Sequence, residues 1–82
     1  MNALETDFLN LVAELANSLT DSDVRQIQEL VQVNELIIAF ENFCTQLVER
    51  NATCTRTQID RIAEIGAVLN VRPDYWTDIK TA

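Results

Sequence analysis

The chain has 82 residues, of which 48% are hydrophobic, with one glycine and one proline, so it has the makings of a single packed domain and no second one. Thirteen acids against six bases and no histidine give a formal charge of -7, which removes the electrostatic footing for nucleic-acid binding. It also removes the commonest general base and metal ligand.

The first helix is predicted over about Ala3 to Ser18, because Leu4, Phe8, Leu11, Val12, Leu15 and then Leu19 recur at helical spacing. Thr20-Asp21-Ser22 interrupts that pattern, with Ser22 as the expected N-cap. Val24, Ile27 and Val31 then define a shorter second helix that closes a helical hairpin. Asn34 is placed to cap a third helix reaching about Arg50. Its expected seam is Ile37, Phe40, Cys44, Leu47 and Val48, widened by Leu36 and Phe43.

Asn51-Ala52-Thr53-Cys54 is the next break, and Thr55 with Gln58 has the spacing of a capping box that opens a fourth helix. Ile59, Ile62, Ala63, Gly66 and Leu69 share one face of that helix, where Gly66 implies close approach to another helix. Val71-Arg72-Pro73 ends it, and Pro73 starts a final turn in which Tyr75, Trp76 and Ile79 cap the core. Lys80 is expected at a frayed end. The fold class predicted is all-α: a compact bundle of four main helices with a short C-terminal aromatic turn or helix, in one domain over residues 1–82.

Catalysis finds few candidates. Cys44 and Cys54 lack an imidazole to activate them, and Ser18 and Ser22 cannot join a histidine-based triad. The acids are spread over separate helices, no calcium loop is present, and the only glycine is mid-helix, so no metal, nucleotide or other cofactor is expected. Two cysteines make no disulfide framework, although one bridge stays open; Cys44 falls on an apolar face. The longest apolar run, Leu36 to Phe40, is too short to cross a bilayer, and Met1 to Glu5 lacks the features of a signal peptide. A cytoplasmic protein with no membrane partner is expected.

The charge is unevenly placed. Residues 1–49 hold nine acids and one base, Arg25, while five bases and four acids follow from Arg50. On the third helix Glu35, Ile38, Asn42, Thr45 and Glu49 line one ridge away from the seam, a candidate surface for a basic protein; the plainer reading is an ordinary wet face. Tyr75 and Trp76 form an alternative binding site. Glu41 lies about 40° around the helix from Ile37, at the seam's flank, where a partly buried carboxylate requires a cation; Arg25, Arg50 and Arg61 are the candidates.

Three functional classes fit these features. An acidic helical chain with Asp21-Ser22 at a helix start resembles an acyl or peptidyl carrier modified at Ser22, although the long loop before the serine is missing and Asp23 stands where an apolar residue is usual. A regulatory interaction module is the second. For the third, Glu35, Ala39-Phe40-Glu41-Asn42-Phe43-Cys44, Leu47, Glu49, Ile59, Ile62 and Gly66-Ala67-Val68-Leu69 resemble the MafI-type immunity proteins over roughly the C-terminal half. That resemblance implies a small helical, non-enzymatic protein encoded beside a secreted or contact-delivered bacterial toxin, often an EndoU-class ribonuclease, which it neutralises in the cytoplasm. A ribonuclease needs a basic cleft for RNA, and an acidic inhibitor is its electrostatic complement.

Overall fold

A computed structural model describes residues 2–82, and these form four α-helices plus a minimal sheet. Helix α1 spans Ala3–Glu14, α2 Asp21–Gln32, α3 Leu36–Glu49 and α4 Arg56–Val68. A two-residue strand β1, Thr53–Cys54, pairs in parallel with β2, Lys80–Thr81, and Ala82 donates its N–H to the Cys54 carbonyl at 2.8 Å. The all-α expectation holds apart from this ladder, which ties down the end where Lys80 was expected to fray.

Each helix start except that of α3 is a capping box, in which a side chain and a backbone amide satisfy each other in both directions. Asn2 pairs with Glu5, Thr20 with Asp23, and Thr55 with Gln58, the last as the sequence predicts. Thr20, not Ser22, is therefore the cap of α2; Ser22 sits exposed inside the first turn.

Asn34 likewise does not cap α3. It takes a left-handed φ of 63° and closes α2: its N–H reaches the Val31 carbonyl, and Glu35 N–H reaches back to Leu30 at 2.9 Å. Asn51 (φ 54°) and Asn70 (φ 58°) end α3 and α4 with the same pair of bonds, Ala52 to Leu47 and Val71 to Gly66. This is the Schellman arrangement with asparagine in the place glycine usually takes, since a short polar side chain tolerates the left-handed conformation. Helix α1 instead tightens after Glu14 into a 3-10 turn, Ala16–Ser18, so the α-helix stops earlier than the apolar spacing predicts.

Helices α2 and α3 make the most extensive helix–helix contact. The core of α3 is Ala39, Phe40, Phe43, Cys44 and Leu47. Ile37, expected in this seam, is 49% exposed, because it lies about 70° around the helix from the Phe40–Leu47 line. Phe8 of α1 sits edge-on to Phe43 (centroids 5.4 Å apart) and tilted against Phe40 (6.0 Å). Phe40 in turn meets Trp76 at 5.9 Å, so four rings join α1, α3 and the C-terminal segment.

The one buried acid is Asp23, at 7% exposure. Arg50 grips it with two bonds, Nε at 3.0 Å and Nη2 at 3.1 Å, and the Thr20 N–H adds a third at 2.9 Å. The Arg50 guanidinium holds the carboxyl below the ordinary aspartate range; burial opposes this, and the Thr20 bonds reinforce it. A lowered folded-state pKa stabilises the fold above the unfolded value and is lost as pH falls through the folded one. The urea midpoint is therefore expected to drop on acidification below about pH 4, and Asp23→Asn to flatten that part of the profile.

The close approach that Gly66 predicts comes first from the Trp76 indole and then from Phe40 of α3. A Cβ on Gly66 would lie 2.5 Å from Trp76 Cη2 and 3.2 Å from Phe40 Cζ. Gly66→Val is expected to lower stability by about 1–3 kcal/mol through overpacking, read as a lower urea midpoint with unchanged slope.

Candidate functional site

The sequence offers two separate candidate surfaces, the α3 ridge and the Tyr75–Trp76 pair. On the ridge, Glu35, Ile38, Thr45 and Glu49 are exposed, and Asn42 is half-buried, its Oδ1 accepting from Gln46 Nε2 at 3.4 Å. The pair is split. Trp76 is 9% exposed and belongs to the core, as its core-capping reading predicts and against the alternative of a binding residue, whereas Tyr75 remains at the surface, half-buried.

Tyr75 ends a 3-10 turn, Pro73–Tyr75, that lies against α3. Pro73 supplies the fixed φ that starts this turn, and Trp76, buried directly after it, holds its far end. Two depressions result, and Tyr75 lines both. The larger, of about 610 Å³, runs between Ile37 and Glu41 of α3 and the stretch Leu69–Arg72, with Asp74 beside Tyr75. The smaller, of about 250 Å³, takes Thr45, Val48 and Glu49 of α3 together with Asp74 and Asp78. Part of the α3 ridge and Tyr75 thus belong to one continuous surface.

That surface is acidic around apolar ground. Glu41, Glu49, Asp74 and Asp78 line it against a single cation, Arg72, which already holds Asp74 at 2.7 Å. Ile37 and Ile38 are each 49% exposed, and Val68, next to Leu69 in sequence, is 70% exposed. Ile37, Asp74, Asp78 and Arg72 escape the sequence reading. Spacing puts Ile37 in the core, and no periodic signal reveals that the C-terminal turn folds back onto α3.

Glu41 is half-buried, as its flank position predicts, but none of its expected cations reaches it. Arg50 pairs with Asp23 and Arg61 with Glu14, and no ion pair of Glu41 with Arg25 or any other base forms among the described residues. The structural buried carboxylate is Asp23 instead. Glu14 is held below its ordinary range by hydrogen bonds from Arg61 and then Gln58.

The depression between α1 and α2, about 490 Å³, is lined by Glu5, Leu9 and Val31 with the amides of Gln28, Gln32 and Asn34, and shares no residue with the predicted sites. Among the described residues no cluster of three or more His, Cys, Asp or Glu could hold a metal, and no helix is long and apolar enough to cross a membrane. Ser22 borders none of the three depressions. Comparison with known proteins finds no matching family model, no matching curated sequence and no matching solved structure.

Both cysteines are free and fully buried. Burial, then the neighbouring Cys54 and Glu41, pushes the Cys44 thiol up to about 12, and burial also raises Cys54, so neither supplies a thiolate nucleophile. A chromogenic disulfide reagent at pH 8 is expected to label neither thiol in the native protein on the timescale of minutes, and both once the chain is unfolded in guanidinium.

Proposed function

We propose that this chain is an immunity protein that binds and neutralises a cognate bacterial toxin in the cytoplasm, without catalysis of its own. The carrying observation is the α3–Tyr75 surface, where exposed Ile37 and half-buried Tyr75 lie among four carboxylates and one guanidinium. Such a surface suits a partner with a basic, partly apolar face: the carboxylates speed encounter and the apolar centre slows release. The likeness of Glu35, Ala39–Cys44, Leu47, Glu49 and Gly66–Leu69 to MafI-type immunity proteins supports a ribonuclease of the EndoU class as that partner. Covering the cleft that receives RNA is enough to inhibit it.

A carrier modified at Ser22 finds less support. The serine is exposed, yet Asp21 and Asp23 flank it, Asp23 is engaged with Arg50 and Thr20, and none of the three depressions described above borders it. A regulatory module would use the same α3–Tyr75 surface.

Growth of cells that express the toxin encoded beside this gene is the test. The wild-type chain is expected to restore growth. Ile38→Asp, which places a charge at the exposed apolar position of the α3 ridge, is expected to weaken toxin binding about 30-fold. Glu35→Lys and Glu49→Lys should slow association several-fold and reduce its salt dependence. Normal binding by all three variants removes this surface from the interface.

A further inference from the structure

We infer that the groove between α3 and the Leu69–Tyr75 segment receives a single arginine side chain from the partner protein, with Glu41 as its counter-ion and Tyr75 as its stacking wall. The inference rests on the reading of this surface as a partner-binding one and names the chemistry it recognises.

Three observations lead to it. Glu41 is the half-buried carboxylate that lines this groove, and it forms no ion pair among the described residues. A carboxylate drawn partly out of water gains from a cation delivered to it. Ile37, Leu69, Val71 and Tyr75 supply apolar ground beside it, and Asn70 with the Arg72–Asp74 pair completes the lining, so the occupant needs a long aliphatic stem as well as a charge. The groove's volume, about 610 Å³, accommodates one long side chain with the backbone that carries it.

Arginine meets these demands better than lysine. Its guanidinium is planar, weakly hydrated and able to stack on an aromatic face while it donates two bonds to one carboxylate. The exposed pair of Arg72 and Asp74, 2.7 Å apart, shows this segment already holding a guanidinium. A second copy of the chain is a poor occupant, because its corresponding face carries the same excess of carboxylates.

Titration of the 15N-labelled full-length protein with acetyl-Gly-Arg-Gly-amide, its lysine counterpart and its citrulline counterpart tests the inference. The arginine peptide is expected to move the amide signals of Ile37, Glu41, Val71 and Tyr75. The lysine peptide should bind about threefold more weakly, and the uncharged citrulline peptide about tenfold more weakly. Glu41→Gln and Tyr75→Ala should each weaken the arginine peptide about fivefold or more, with Glu29→Gln on α2 as the unchanged control. No shifts, shifts centred elsewhere, equal binding of citrulline or lysine, or full binding by Glu41→Gln overturns it. The two readings also fail separately. A toxin neutralised equally well by Glu41→Gln sinks the arginine groove alone, whereas peptide binding without growth rescue sinks the immunity role alone.

Discussion

Trp76 rests on the bare backbone of Gly66 and against the edge of Phe40, and the placement of the C-terminal segment follows from that contact. Any side chain at position 66 would occupy the indole's space. With the indole seated, Tyr75 is set beside α3, Ile79 enters the core, and Lys80–Thr81 reach β1. The groove next to Glu41 exists because this segment is held at that distance, so the candidate site and the core share one joint. An 82-residue helical protein has little apolar area to spare, and recruiting Val71, Trp76 and Ile79 from outside the helices enlarges the core at the point where α3 and α4 would otherwise be bare.

The acids fall into two arrangements. Asp23 is turned inward, and every oxygen it presents is engaged by Arg50 or Thr20, so it locks the start of α2 to the end of α3. A buried carboxylate left without such partners would be costly, and the pairing with Arg50 joins residues 27 positions apart. The acids of the α3–Tyr75 surface are arranged oppositely. Only Asp74 has an internal cation there, and the rest are left to solvent or to a partner. The acid that holds the fold is thus distinct from the acids of the α3–Tyr75 surface.

The helices were legible because their cause is local. Apolar residues at helical spacing mark α1 and α2, and Thr55 three residues before Gln58 marks the start of α4. The errors fall where distant contacts decide. Asn34 has the chemistry of an N-cap and of a left-handed C-terminal residue alike, and the Glu35–Leu30 bond selects the second role. Ile37 matches the seam by spacing, but α3 turns Phe43 and Ala39 inward and leaves Ile37 on the flank. Glu41 lies at that flank as its spacing predicts, while two of the three cations expected for it pair elsewhere, Arg50 with Asp23 and Arg61 with Glu14, choices between carboxylates that spacing cannot rank. Two candidate surfaces became one for the same reason: only the fold-back after Pro73 brings Tyr75 beside α3.

Because Trp76 is the only tryptophan in the chain, the protein's long-wavelength ultraviolet emission comes from the same residue that closes the bundle. Its neighbour in sequence faces the groove while the indole faces Gly66. Light emitted from this side chain therefore registers whether the C-terminal segment is seated, and any ligand that pries Tyr75 away from α3 would reveal itself optically without a label.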